Sequence, residues 1–141
     1  MSAVNNALYF GWQGAVYELD LETLEERELW RPSPPMHISG RTNPTADGKY
    51  VCVMLTEDRP KGKPAISFSY SSFRENFHLK PLTQIARIEV ATGEMEVIHE
   101  DKRYMGHVNT SPALPDILTY CHEGPWNCID AARGVRGGCG G

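Results

Sequence analysis

The chain has 141 residues, of which 40% are apolar and 23% are charged, and its 14 basic and 18 acidic side chains leave a net charge of −4. This composition is typical of a globular domain, and a mildly acidic chain without a block of like charges excludes electrostatic capture of nucleic acid or an anionic membrane. The sequence has no apolar stretch of about 18 residues and no basic start followed by an apolar run, so it predicts a cytoplasmic protein without a secretory signal.

The first part of the chain carries the pattern of antiparallel strands. A short apolar run at residues 8–10 ends at a glycine, and residues 15–21 then alternate between polar and apolar side chains. Alternation with a period of two indicates a half-buried strand. After a turn at Glu22 and Thr23, residues 24–30 are predicted to return as the next strand, which completes a hairpin.

The same order of features recurs 69 residues later. Residues 85–90 and 94–99 form a second predicted hairpin around Gly93, a residue suited to a turn that needs a positive φ. At this offset Thr23 aligns with Thr92. Each hairpin is followed by a proline-rich connection, an aspartate-containing turn and a further strand, at residues 50–55 and 117–121. Repeating antiparallel units of this kind predict an all-β array.

An insertion accounts for the length of the repeat. A propeller blade takes ~40–50 residues, so an offset of 69 is about twenty too long, and residues 57–81 interrupt the strand pattern. Within this insertion an aromatic stripe and a capping box predict one short amphipathic helix. The stripe is expected to pack the insertion onto the sheet, with direct ligand stacking as the alternative. The residues concerned are Tyr70, Ser72, Phe73, Glu75 and Phe77.

The cysteines and histidines give no self-contained metal signature. The four cysteines lack a C-x-x-C pair, so they are predicted to be buried, reduced thiols. The histidines are scattered, without H-x-H or H-E-x-x-H spacing. The cysteines are Cys52, Cys121, Cys128 and Cys139, and the histidines are His37, His78, His99, His107 and His122.

Several blocks of the sequence resemble the oligogalacturonate lyases, bacterial enzymes of late pectin breakdown. The run V-Y-E-L-D-L-E-T-L-E-E-R begins at Val16, D-G-K-Y-V at Asp47, E-V-A-T-G-E-M-E-V-I-H-E at Glu89 and M-G-H at Met105. The most distinctive block is C-H-E-G-P-W-N-C-I-D-A, which begins at Cys121. The resemblance covers nearly the whole chain but only about the middle third of a full family member.

The resemblance implies a seven-bladed β-propeller, of which this chain is expected to supply about two blades with the short helical insertion. Residues 1–133 would form the partial propeller, and residues 134–141, with five glycines in eight positions, a disordered tail. Two blades leave sheet faces without neighbours, which predicts marginal stability and self-association through the unpaired blades.

The implied reaction is β-elimination on short oligogalacturonides, chiefly the dimer, which makes the family carbon–oxygen lyases that act on an oligosaccharide. The proton removed lies next to a carboxylate, so a site needs both a base and a group that neutralises the developing charge. In the family a histidine is the base, an arginine assists, and three histidines with a glutamine bind Mn²⁺. The resemblance implies that the base and the metal ligands are absent from this chain, which is therefore expected to be inactive alone.

Four residues remain as site candidates. Arg133 is the candidate for the assisting arginine, but one extra alanine places it one residue late, and such a slip on a strand turns a side chain to the other face. A solvated arginine is the alternative. His122 and Glu123, in the C-H-E-G-P block, and His107, in M-G-H, are candidates for binding the uronate. Alternatively, His122 satisfies a backbone carbonyl between blades.

Other functions remain open at this point. Three basic side chains could attract an anionic sugar, although solvated charge is the default for each: Arg74, Lys80 and Arg87. The alternative to a lyase segment is a non-catalytic propeller segment, of WD40-like or translocation-associated type, that binds a protein or a sugar.

Overall fold

The computed structural model describes residues 1–58 and 79–122, in which ten β-strands form three antiparallel sheets. The first sheet has the order β1-β2-β3. The central sheet has the order β4-β6-β7-β8, and β5 also pairs with β6. The third sheet consists of β9 and β10. The strands are β1 (Ala7–Trp12), β2 (Ala15–Asp20), β3 (Glu26–Trp30), β4 (Met36–Ile38), β5 (Asn43–Pro44), β6 (Tyr50–Glu57), β7 (Thr83–Glu89), β8 (Met95–Asp101), β9 (Met105–Thr110) and β10 (Leu118–His122).

Strand β6 lies at the centre of the fold and is buried on both faces. Its apolar run has almost no polar interruption, which is typical of a strand covered on two sides. Val51, Val53 and Leu55 face the first sheet, and Cys52 and Met54 face the third. Each of the larger side chains contributes about 1.5–3 kcal/mol when it is buried. The central sheet is therefore the most strongly supported of the three.

Two apolar clusters join the three sheets face to face. The larger cluster packs Ala7, Tyr9, Val16 and Leu29 of the first sheet against the central sheet. The smaller cluster packs the central sheet against the third, and it contains Cys52, Met54, Ile85, Met105 and Val108, with Leu118 partly buried beside them. The third sheet is consequently held by fewer apolar side chains than the first.

The turns of the two outer hairpins have the same backbone hydrogen bonds. Between β2 and β3, the Asp20 amide donates to the Glu25 carbonyl at 3.0 Å and the Leu24 amide to the Asp20 carbonyl at 3.0 Å. Between β7 and β8, the corresponding bonds join Glu89 with Glu94 and Gly93 with Glu89, both at 2.8 Å. The left-handed residue is Leu24 in one turn, at φ 59°, and Gly93 in the other, at φ 75°. The positive φ predicted for Gly93 is thus confirmed.

The open edges of the three sheets converge on one side of the molecule. Thr42 Oγ1 donates to the Tyr9 carbonyl of β1 at 2.7 Å, which joins the first sheet to the central one. Asn43 Nδ2 donates to the Val108 carbonyl of β9 at 2.7 Å, and Thr110 Oγ1 donates to the Pro44 carbonyl at 2.7 Å. We call the side formed by β1, β4, β5 and β9 the inner edge.

Several predictions fall on residues outside the described ranges. These are the helix with its aromatic stripe, between residues 70 and 77, the site residues Glu123 and Arg133, and the glycine-rich tail. The ends of the predicted insertion are described: β6 continues through Glu57, and β7 begins at Thr83. Across residues 1–58 and 79–122, no helix has the length and apolarity needed to cross a membrane.

Candidate functional site

The two described site candidates lie on neighbouring strands of the third sheet. His122 is the last residue of β10 and pairs with Met105 of β9, two residues before His107. A bulge between Thr119 and Cys121 separates this end of the pairing from the rest. The structure thus brings Cys121 and His122 beside the M-G-H element, although 15 positions separate the two histidines in the sequence.

His107 adopts a left-handed backbone conformation on the inner edge. Its φ is 52°, and its carbonyl accepts a hydrogen bond of 2.9 Å from Asn109 Nδ2. A residue with a Cβ in this region of conformational space costs of order 1–3 kcal/mol, and such residues cluster at functional sites. The side chain of His107 is exposed. The role predicted for His107, binding of the uronate, stays a prediction.

His122 has a carboxylate partner on the central sheet. Its Nε2 lies 3.4 Å from Asp101 Oδ2, at the end of β8, and Arg103 Nε lies 3.8 Å from the same oxygen. The carboxylate is an acceptor that faces a ring nitrogen of the imidazole. The same contact also ties the third sheet to the central one. The structure therefore gives His122 a structural partner of a kind not expected from the sequence, a carboxylate rather than a backbone carbonyl.

A second pair stands beside the first. Tyr120 Oη lies 3.2 Å from His99 Nε2, and the two ring centroids are 5.2 Å apart. His99 and Asp101 are two residues apart on β8, and Tyr120 and His122 are two residues apart on β10. Both contacts join β8 to β10, so the two pairs lie between the same two strands. His99, Asp101 and Tyr120 were not predicted from the sequence. The sequence feature that could have pointed to them is the shared spacing of H-x-D on β8 and Y-x-H on β10.

Of the three basic candidates, Arg87 is already engaged. Its Nε and Nη2 lie 2.9 and 2.8 Å from Glu96 Oε2, and its guanidinium lies 4.6 Å from the centroid of the Tyr50 ring. The hydrogen bond to Glu96 raises the pKa of Arg87. Lys80 is exposed, and Arg74 lies outside the described residues. Arg87 is therefore a poor candidate for binding an anionic sugar.

The two described cysteines differ from each other. Cys52 is buried, and burial raises the pKa of its thiol to about 11, so it remains protonated and unreactive near neutral pH. Cys121 is exposed, so the prediction that it is buried was wrong. The reason is that Cys121 lies on an edge strand of the two-stranded third sheet, in which every residue after Leu118 is exposed.

The described residues do not fit a manganese site. In residues 1–58 and 79–122, no group of three or more His, Cys, Asp or Glu side chains lies close enough together to hold a metal ion. The histidines instead occur in pairs with one other group, as His122 does with Asp101. The same oxygen of Asp101 that contacts His122 also contacts the cationic Arg103. The positive charge of Arg103 disfavours a metal cation at this place.

The fold and the paired strands define a section of a β-propeller, with one complete sheet between parts of two others. The family model described as oligogalacturonate lyase matches residues 1–136. The chain therefore belongs to the oligogalacturonate lyase family. The predictions of an all-β partial propeller and of this family are both confirmed.

Named relatives agree with this assignment. The chain is 26% identical over 133 residues to the oligogalacturonide lyase of Pectobacterium atrosepticum, covering 93% of this chain and 33% of the relative. It is 27% identical over 114 residues to the oligogalacturonate lyase of Dickeya dadantii, covering 80% and 28% respectively. The chain thus spans about a third of the length of these relatives.

Two solved structures have a similar fold. The oligogalacturonate lyase of Vibrio parahaemolyticus is 26% identical and superposes with a TM-score of 0.77, over 92% of this chain and 34% of that one. An oligogalacturonate lyase in complex with manganese superposes with the same TM-score and coverage at 24% identity. Manganese is thus present in a relative with this fold.

Proposed function

We propose that this chain is a segment of an oligogalacturonate lyase that binds short oligogalacturonides, chiefly digalacturonate, in cytoplasmic pectin catabolism. The match of the family model over residues 1–136 carries the proposal. The geometry supports it, because His107 and His122 lie on adjacent strands of one sheet. The family reaction is a carbon–oxygen elimination that removes the proton next to the uronate carboxylate.

The residues of this chain would bind and orient the sugar rather than complete the reaction. His122, which lies beside Asp101, can donate a hydrogen bond from a ring N–H to a uronate carboxylate and so offset the charge that develops there. Glu123 and His107 are proposed to contact the same sugar, and Arg133 to assist. Manganese, when bound to a whole lyase, would supply Lewis-acid stabilisation of the carboxylate. No step is assigned to it among the residues described.

The test is to separate binding from turnover. The purified chain is titrated with digalacturonate by calorimetry and, separately, incubated with it in Mn²⁺ while the absorbance of the unsaturated product is followed. We expect binding without product. Product formation would refute the inactivity of the chain, whereas absence of binding would favour the non-catalytic propeller segment. Digalactose, which lacks the carboxylates, is the matched ligand control.

We also propose that the chain self-associates through the open face of the first sheet. Phe10 and Tyr17 stack there with ring centroids 5.8 Å apart, and Trp12 is 62% exposed. Exposed aromatic clusters mark interaction surfaces, and the sheets of this chain already pack face to face. A second copy is the proposed occupant. Size-exclusion chromatography with light scattering should show an oligomer that Phe10→Glu dissociates; a monomeric parent chain would refute the proposal.

A further inference from the structure

A second histidine–carboxylate pair lies on the inner edge, apart from His107 and His122. His37 is the middle residue of β4, and its Nδ1 lies 2.9 Å from Asp58 Oδ1, just beyond the end of β6. The two side chains are 50% and 58% exposed. Neither residue was selected from the sequence, because 21 positions separate them and only the pairing of β4 with β6 brings them together.

Backbone hydrogen bonds hold this pair in place. His37 pairs with Thr56 in the β4–β6 ladder, and the Asp58 amide donates to the Pro35 carbonyl at 2.7 Å. Next to the pair, Thr56 Oγ1 donates to Ser39 Oγ at 2.6 Å. Exposed ion pairs between long side chains gain little because they must lose rotamer freedom. Here both side chains are short and both backbones are fixed, so less entropy is lost.

The pair also determines the state of the imidazole. A carboxylate oxygen only accepts hydrogen bonds, so Nδ1 of His37 carries the proton that the two groups share. In the neutral ring Nε2 then has a lone pair and acts as an acceptor. Within residues 1–58 and 79–122, this nitrogen has no hydrogen-bond partner. In the neutral ring, Nε2 of His37 is thus an acceptor on an exposed surface, and sugar hydroxyl groups are matching donors.

The position of β4 indicates which surface this acceptor serves. Thr42 and Asn43, which follow β4 in the chain, bond to β1 and β9, so β4 belongs to the edge where all three sheets converge. His107 lies on the same edge. The carboxylate of Asp58 itself lies 2.9 Å from the ring, and a second carboxylate, Glu57, precedes it in the chain. They favour a hydroxyl over a uronate carboxylate as the group that His37 contacts.

We propose that His37, oriented by Asp58, binds a hydroxyl group of the oligogalacturonide through Nε2. This inference rests on the proposed function, because it places a further contact for the same sugar at the inner edge. His37 would be the binding residue and Asp58 its positioning residue.

The experiment uses long-range ¹H–¹⁵N correlation spectra of the histidine rings in the full chain. Without ligand, we expect His37 to carry its proton on Nδ1, and Asp58→Asn to shift the proton to Nε2, because the amide can donate to Nδ1. On addition of digalacturonate, the Nε2 resonance of His37 should move. His37→Ala, which also assigns the resonance, should weaken binding about 2- to 12-fold, the range for one net hydrogen bond.

The matched control is Arg31→Ala, which also removes one partner of an exposed ion pair, with Glu28 of strand β3 at 2.6 Å, and it should leave the affinity unchanged. If digalacturonate moves other resonances but not that of His37, and His37→Ala binds as the parent does, the inference is refuted while the proposed function stands. If digalacturonate moves no resonance at all, the proposed function fails and the inference with it. Equal loss of affinity in both alanine variants would mean general destabilisation and would also refute it.

Discussion

The left-handed conformation in the turn between β7 and β8 can be tested with the substitution Gly93→Ala. Gly93 has φ 75°, and a Cβ built on it would lie 2.7 Å from the carbonyl oxygen of Leu29. A left-handed conformation costs an L-residue roughly 1–2 kcal/mol. The clash is with backbone, which cannot move aside as a side chain can. We therefore expect Gly93→Ala to lower the free energy of unfolding by more than the roughly 1–2 kcal/mol of the left-handed conformation alone.

The matched variant is Leu24→Gly at the corresponding position of the first hairpin. Leu24 has φ 59° and is 70% exposed, so the substitution removes strain and loses little buried apolar area. The greater freedom of glycine in the unfolded chain offsets about 0.4–1 kcal/mol of this gain. We expect a change between zero and about 1 kcal/mol in favour of the folded state, because the strain relieved is roughly 1–2 kcal/mol.

Urea unfolding followed by tryptophan fluorescence measures both variants, and the slope of the transition checks that each unfolds as the parent does. The two substitutions should change the free energy of unfolding in opposite directions. If Gly93→Ala were as stable as the parent chain, the left-handed geometry and the close approach to Leu29 would both be wrong. If Leu24→Gly lost more than Gly93→Ala, the equivalence of the two turns would be refuted.

Three further predictions concern contacts, thiols and acid stability. Arg27→Gln should cost about 1–2 kcal/mol in urea unfolding, because Arg27 Nη2 donates to the Val90 carbonyl at 2.7 Å and joins the first two sheets; no change would show that the contact is unimportant. In a Cys128→Ser/Cys139→Ser background, Cys121 should react with a thiol reagent while Cys52 reacts only after unfolding, and equal rates would contradict the burial. Backbone hydrogen bonds lower the pKa of Asp20 in the folded chain. The Asp20 carboxylate therefore stabilises the folded state above the ordinary pKa of 3.8, and this contribution is lost as the pH falls through the lowered pKa. Asp20→Asn should reduce the acid-induced loss of stability, and an unchanged pH profile would refute this.

The strands predictable from the sequence were those whose side chains carry a period. Alternation located β2, and a continuous apolar run located β6, because burial on one or two faces leaves these patterns in the sequence. Strands β4 and β5 have three and two residues, lie among prolines and carry no period. They are strands only because β6 offers them an edge to pair with, and this tertiary effect overrides local propensity.

The candidate site was predictable only in part, for a related reason. His107 and His122 were selected because they lie in blocks that resemble the family. Their neighbours could not be, because contacts such as that between His122 and Asp101 depend on how one sheet packs on another. The same holds for His37 and Asp58, which meet across one pair of strands. Residue identity in a motif can therefore nominate a site, but the groups that orient its side chains follow from register and packing.

The strands that carry the candidate site residues are held by unequal amounts of apolar packing. This difference affects how variants of those residues are interpreted. His37 lies on the central sheet, which apolar side chains cover on both faces, whereas His122 lies on β10, which contributes only the partly buried Leu118 to a cluster. Because few apolar contacts hold β10, the contact between His122 and Asp101 is a large part of what holds this strand on the central sheet. Loss of His122 would weaken both the docking of β10 and any sugar contact, so lower affinity alone cannot identify a ligand role. Asp101→Asn separates the two, because it disturbs the docking while leaving the imidazole able to donate to a carboxylate.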